Sequence, residues 1–367
     1  MRFNEFRVHR AAALTEAAKV GREYQHLEDL VFIEGAKGAF EAADIIDNLG
    51  SDAGDVAIKW DGNPTIYWGR DENGEFVMVG KNGWGKNKST SPEDLANFIK
   101  NTGKGEEWRE AFGNNMAAIF PILEQATPTE FRGYVFGDLL YYPGRPFTTE
   151  NGRISFTPNL VKYTVDPDSK LGQRIANSEV GVVAHSKYDE FGSKSGTPVS
   201  DVKELNSNDA VVLGQTYVTH QPEVDTQETN KIRDFANKHA RAIDEFLAPR
   251  KGLSDMKQII YTYVNQMSRS QQLAKLESGF FNWLKGSRVS ANKQAKIAQL
   301  AEEMPTALPA IFKLVKMIMT VKDHIIDQLD SAEADVTAST RGEPGGEGYV
   351  AQNSKVKLVP RARWQPN

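Results

Sequence analysis

The chain has no cysteine among its 367 residues. That excludes disulfide staples, thiol nucleophiles and cysteine-ligated zinc, and it fits a reducing compartment. Histidine is scarce as well. The six histidines (9, 26, 185, 220, 239 and 324) are scattered without ligand spacing, which argues against a zinc site. A basic excess is also missing. Lys and Arg number 44 against 49 Asp and Glu, a formal charge of -5, so any nucleic-acid surface must be local. No run approaches the roughly 20 apolar residues that span a bilayer, and the N-terminal stretch lacks the apolar core of a signal peptide. The expectation is a soluble cytoplasmic protein with no membrane partner, long enough for one large domain or two ordinary ones.

The pattern that is present is α+β. Helical periodicity covers 14–19 and 34–49, then 92–101, where Ser91 and Pro92 make a good N-terminal signal, and 106–123. Short β runs punctuated by turns lie between and after them: DVAIKW, TIYWGR and EFVMVG, then FRGYVFGDLLYY, RISFTP, VKYTV, EVGVVAHSKY and AVVLGQTYV. From about Val224 to Ala332 the periodicity is helical. After the turn-rich STRGEPGGEG come two short β runs, GYVAQN and KVKLVP. The reading is a β-rich domain over 1–220, an inserted helical subdomain over 221–335, and closing strands of the first domain over 336–367.

Four motifs occur in order on these β segments: Lys59-Trp60-Asp61-Gly62, Gly137-Asp138-Leu139, Glu347-Gly348-Tyr349-Val350, and Lys355-Val356-Lys357. A lone K-x-D-G is weak; the ordered set is far more specific. It resembles the covalent nucleotidyltransferases: ATP-dependent DNA ligases, RNA ligases and mRNA capping enzymes. Lys59 stands where that superfamily has its nucleophile. Lys81, in GKNGWG, stands in a position usually held by arginine, and Asp138 where glutamate is commoner. Glu347 with Gly348 is similar to the fourth motif, and Lys355 with Lys357 to the fifth. The spelling E-G-Y-V-A leans towards RNA ligases. The stretch HLEDLVF is similar to uncharacterised tailed-phage proteins, which would place the protein in a host cytoplasm.

The resemblance implies antiparallel sheets forming an ATP-grasp-like ligase cleft. It implies Lys59 as nucleophile, helped by Lys355 and Lys357, with Asp61, Gly62, Lys81, Asp138 and Glu347 at the nucleotide. ATP is the implied co-substrate, and Glu347 the implied ligand of Mg²⁺ or Mn²⁺. The physical requirement is clear. A free lysine amine, with pKa near ~10.4, is protonated at neutral pH and is a poor nucleophile. Desolvation and nearby cations favour the neutral form. Lys355 and Lys357 alternate on one strand and could share a cleft. Glu347 is a hard oxygen ligand. Asp138 could accept hydrogen bonds from ribose hydroxyls. The implied activity is sealing a 5′-phosphate to a 3′-hydroxyl through lysyl-AMP, with RNA favoured over DNA. A DNA ligase, a GTP-using capping-type enzyme, and an idle nucleic-acid-binding protein with the same fold remain as alternatives.

A competing phosphate motif fails. Gly80, Gly85 and Lys86 have P-loop spacing, but Asn87 replaces the Ser or Thr that holds Mg²⁺, and NKSTSP does not open a helix at once. His185 and Tyr163 are candidates for a ring face against the base. The family's accessory domain, usually placed after the fifth motif, has no room in the ten residues after Lys357, so the helical block is expected to hold the polynucleotide. Its stretch 251–300 carries eight basic residues against two acidic ones, a net +6, with Lys285, Arg288 and Lys293 among them.

Overall fold

The computed structural model describes residues 25–51, 53–102, 106–199, 201–218, 220–332, 334–361 and 363. The helix expected over 14–19 lies outside them. The fold is mixed α+β, and the chain divides into two units. A β-rich unit holds Val56–His220 and Asp327–Tyr349. A helical unit holds the described residues up to Asp55, Gln221–Ile326, and the described residues from Val350 onward. The boundary expected at 220 is found; the others differ from expectation, including the one expected at 335, which falls after Ile326. Residues 25–55 join the helical block, not the sheets, and the closing segment is split at Tyr349.

Side-chain chemistry explains the first difference. The helix Ala36–Ser51 has an apolar stripe of Ala39, Ala42, Ala43 and Ile46, all buried. Its polar residues meet the helix Thr226–Leu247: Arg233 donates to Asp44 at 2.6 Å and Asp47 at 2.7 Å, and Thr229 donates to Asp47 at 2.7 Å. Gly35 makes the approach possible. At φ +69° it sits where a Cβ would fall 2.1 Å from Asp244 Oδ1, the atom that accepts the Ala36 N–H at 2.9 Å.

The HLEDLVF stretch also belongs to this unit. Glu28 and Asp29 are fully buried. Lys322 Nζ donates to both Glu28 carboxylate oxygens at 2.9 and 2.8 Å, and Arg361 grips Asp29 at 2.7 and 2.8 Å. Arg361 Nε lies 3.4 Å from Glu28. Two acids and two bases thus neutralise each other away from water, as buried charges must. Burial pushes the Asp29 carboxyl up to about 6, with Arg361 pulling the other way. Strand Val356–Leu358 runs parallel to Gln25–His26.

In the β-rich unit, one sheet runs in the order Thr197–Pro198, Val180–Tyr188, Gly133–Tyr141, Thr65–Arg70, Phe76–Gly80, with Ala210–Leu213 parallel to Val180–Tyr188. The two-residue alternation of strands sorts its faces. Ile66, Trp68, Phe76, Met78, Val135 and Leu139 share a core with Leu95 and Ile99 of helix Pro92–Asn101 and with Met116, Ile119, Phe120 and Leu123 of helix Trp108–Ala126. Each such burial contributes roughly 1.5–3 kcal/mol. Ser91 caps the first of these helices, its Oγ accepting the Asp94 N–H at 3.1 Å, with Pro92 leading it as the sequence predicts.

The other face carries Tyr67, Val77, Val79 and Tyr134, covered by Trp84, Phe136, Tyr188 and Phe191. A second, all-antiparallel sheet runs Glu343–Pro344, Val336–Thr340, Val161–Val165, Arg153–Phe156, Thr148–Glu150. Strand Val336–Thr340 was not expected. VTAST has no large apolar residue, and it is a strand because it pairs along the whole of Val161–Val165. Among the described residues no single helix is long and apolar enough to cross a membrane.

Candidate functional site

Lys59 follows the short strand Val56–Ile58, whose backbone is tied to the 216–218 segment by Ile58 N–H to Thr216 O and Val218 N–H to Val56 O, both at 2.8 Å. The next residue, Trp60, is 4 % exposed and packs on Tyr163 at 4.6 Å and Phe156 at 6.4 Å. Its Nε1 donates to Thr216 at 3.2 Å. Anchored on both sides, Lys59 has little freedom. Its own N–H donates to Gly348 O at 2.9 Å, and its amine forms an ion pair with Glu347. The Lys59 side chain is 26 % exposed and Glu347 16 %. An amine on a solvated hairpin would be far more open.

Glu347 reaches Lys59 through the turn that follows the unexpected strand. Gly345 N–H bonds back to Ala338 O at 2.9 Å, and Tyr349 donates to Asp330 at 2.8 Å. Burial raises the Tyr349 phenol far above its ordinary range, as it does for Tyr163, so both stay protonated donors. Beside the pair lies a cavity of about 1020 Å³, lined among others by Lys59, Arg153, Thr164, Thr216, Gly346 and Gly348. That is at the upper end of small-molecule pockets.

Asp61 and Gly62 serve the loop. Asp61 is 8 % exposed, and its carboxylate accepts from Asn159 Nδ2 at 2.9 Å, Leu160 N–H at 2.8 Å and Val161 N–H at 3.2 Å, while its N–H donates to Tyr163 at 2.6 Å. It is committed to the protein, not open to a nucleotide. Gly62 lies against Asp138: a Cβ there would meet Asp138 Cβ at 2.5 Å. Asp138 is in turn held by Thr65, which donates to Oδ1 at 2.6 Å, and by His185 Nε2 at 3.0 Å from Oδ2.

Several expected residues lie elsewhere or are occupied. Lys81 is exposed in the turn after strand Phe76–Gly80, and it does not line the cavity. Its neighbour Trp84 clamps that turn, stacking on Tyr67 at 4.1 Å and donating to Ser193 O at 3.0 Å. No helix begins between Gly80 and Pro92, in keeping with the rejected P-loop. Tyr163 is fully buried and cannot offer a ring face to a base. Lys355 and Lys357 belong to the helical unit. Lys355 lies before strand Val356–Leu358 at φ +53°, so the two lysines do not alternate along one strand. Lys285 and Arg288 are exposed, but Lys293 is paired with Asp255 at 2.6 Å. The aromatics Tyr263, Phe280 and Trp283 pack together with Phe312 as core, and only Phe281 of that group is open, at 39 %.

The chain belongs to a family of unknown function (DUF6267). The family model matches residues 23–365, thus both units and every site residue named above. No curated protein and no solved structure matches the chain. Two residues near the turn that carries Lys59 hold more than the sequence suggested. Asn159 locks Asp61, and His185 locks Asp138; neither has a motif signal, because each is recruited from a distant strand or turn.

Proposed function

We propose that this protein transfers AMP from ATP to Lys59 and uses the lysyl-AMP to join polynucleotide ends, RNA in preference to DNA, in the cytoplasm of its cell or of a phage host. The observation that carries the reading is the contact between the Lys59 amine and the Glu347 carboxylate. Two motifs 288 positions apart, each weak alone, meet in one half-buried pair beside a nucleotide-sized cavity. In this reading the Lys59 amine attacks the α-phosphorus of ATP, a P–N bond forms, and pyrophosphate leaves with the electrons of the broken P–O bond. The ion-paired nitrogen must lose one proton before it attacks and a second as the P–N bond forms; Glu347, already touching it, passes both to water and is left ionised. Rigid placement of Lys59 by Trp60 and Gly348 serves alignment, the main requirement in phosphoryl and nucleotidyl transfer. An attack by a strand's 5′-phosphate then frees the lysine, and a 3′-hydroxyl displaces AMP.

The donor set fits a divalent metal of the Mg²⁺ type. Among the described residues no three acidic or histidine side chains cluster around a metal position, but Mg²⁺ ordinarily takes one or two carboxylates plus substrate phosphates. Glu347 would be the carboxylate. The metal's contribution when bound is neutralisation of phosphate charge. For the polymer, exposed Lys285 lies one turn from exposed Phe281 on helix Phe280–Gly286, with exposed Arg288 just beyond. Cations beside an open ring suit a single strand.

Incubation with α-³²P-ATP and Mg²⁺ should leave label on the protein in a denaturing gel. Lys59→Ala should abolish it, and Glu347→Gln should slow it roughly 10²-fold or more. Label from GTP but not ATP would favour a capping-type enzyme. Absence of label from either would sink the enzymatic reading. Lys285→Glu with Arg288→Glu should weaken RNA binding and flatten its salt dependence; unchanged binding would remove the helical unit from that role.

A further inference from the structure

The stretch from Gly80 to Lys86 fails as a P-loop, yet its glycines have a use. Gly85 and Gly192 touch. Both lie in the left-handed region, at φ +72° and +84°, and a Cβ on Gly192 would fall 2.6 Å from the Gly85 Cα. Trp84 completes the clasp. It packs on Phe191 at 4.9 Å, its indole hydrogen goes to Ser193 O, and Tyr67 stacks on it with the rings 9° from parallel. Two loops, 81–88 and 189–196, are thus held together at the aromatic face of the first sheet. The first loop also bonds to itself. Gly83 N–H donates to Gly80 O, and the Lys86 and Asn87 N–H groups both donate to Gly83 O, all at 2.9 Å. Those amides are spent, so an anion arriving here meets side-chain amines and not a backbone cradle.

Amines are what the loops present. Residues 81–88 carry three lysines and no acid. Residues 189–196 add Lys194 with Asp189 and Glu190, so the pair of loops holds four positive charges against two negative, a net +2 in a chain of -5. Lys88 is shared by Asp71 and Glu72, each at 3.6 Å. Lys81, Lys86 and Lys194 are exposed, and their amines engage no protein partner among the described residues. Beside them Phe136, Tyr188 and Phe191 are only half-buried. Free amines next to half-open rings suit a single nucleic-acid strand, whose phosphates take the cations and whose unstacked bases take the π surface. A duplex keeps its bases stacked inside and would use the lysines alone. An acidic peptide would leave the rings idle. Because the clasp already orders both loops, binding does not have to.

We infer that the clasped loops and the rings beside them are a docking surface for single-stranded polynucleotide on the β-rich unit. This rests on the proposal that a polynucleotide is the substrate, and it is independent of the chemistry at Lys59.

The test is fluorescence anisotropy of the full chain with a 5′-fluorescein oligo(U) of about 12 nucleotides, in EDTA and across a range of salt. Lys81→Gln, Lys86→Gln and Lys194→Gln together remove three phosphate contacts. The slope of log affinity against log salt should flatten by about 2, and affinity at 0.1 M salt should drop roughly 10²-fold. Phe191→Leu keeps bulk against Trp84 but removes the ring; affinity should fall roughly fivefold or more with the slope unchanged. Loops that had merely lost their shape would change slope and affinity together in both variants. Four results overturn the inference: no binding of the oligonucleotide, wild-type affinity and slope in the triple variant, equally tight binding of a duplex of the same length, or competition by polyglutamate as strong as by unlabelled oligo(U). Lys59-dependent labelling is read separately. Label with RNA binding untouched by these variants defeats only this inference, and variant-sensitive binding without label defeats only the transfer reading.

Discussion

Replacing Lys322 with Met removes one charge from a cluster that water does not reach. Lys322 and Glu28 are both 0 % exposed, and the amine bonds both carboxylate oxygens at 2.9 and 2.8 Å. In the variant Glu28 keeps Arg361 Nε at 3.4 Å, but the terminal nitrogens of Arg361 are taken by Asp29 at 2.7 and 2.8 Å. The cluster passes from neutral to one net negative charge without gaining solvent. Coulomb attraction at about 3 Å with an effective dielectric near 20 is roughly 6 kcal/mol, part of which relaxation recovers. The expected destabilisation is therefore about 3–4 kcal/mol, in line with other broken buried pairs.

The assay is urea unfolding at pH 7 with hydrogen exchange read at the amides of helix Ala307–Ser331. Adding Glu28→Met should restore most of the loss, since both charges then leave together and the Asp29–Arg361 pair stays neutral. A loss below about 1 kcal/mol in the single variant, or a double variant no better than the single, would refute the reasoning.

Two further outcomes follow from the same physics. Asp29 is held up to about 6 against an ordinary 3.8, so the native state binds its proton more tightly than the unfolded chain. Its contribution to stability therefore rises as pH falls through 6 and is complete below about 3.8, on the order of 3 kcal/mol. The unfolding free energy of wild type relative to Asp29→Asn, titrated between pH 7 and 4, should grow on acidification; a shrinking difference would show the opposite sign. Gly62→Ala would place a Cβ 2.5 Å from Asp138 Cβ and 3.2 Å from its backbone. It should cost about 1–3 kcal/mol by thermal unfolding, and an unshifted melting temperature would mean that the loop yields freely.

Much of the local structure was legible in the chain. Pro92–Asn101 begins where Ser91 and Pro92 announce it, and Thr65–Arg70 and Val161–Val165 have the limits that their residue pattern predicts. These elements depend on neighbours within a few residues, through caps, turns and alternation. The ownership of residues 25–55 was not legible, because an amphipathic helix states that it has a partner face and not which one. Asp44 and Asp47 find theirs in Arg233, nearly two hundred positions away.

The candidate site divides along the same line. Residue type and order nominated Lys59, Glu347 and Asp138, since chemistry demands an amine and carboxylates whatever the fold. Only the tertiary structure could pair Lys59 with Glu347, spend Asp61 on the 159–161 backbone and side chain, and turn Asp138 towards His185. Those outcomes hang on a polar strand that exists only by pairing and on a one-residue bulge. A sequence carries its own periodicity and chemistry, but register between distant strands is set by the summed packing of both, and no short window contains that sum.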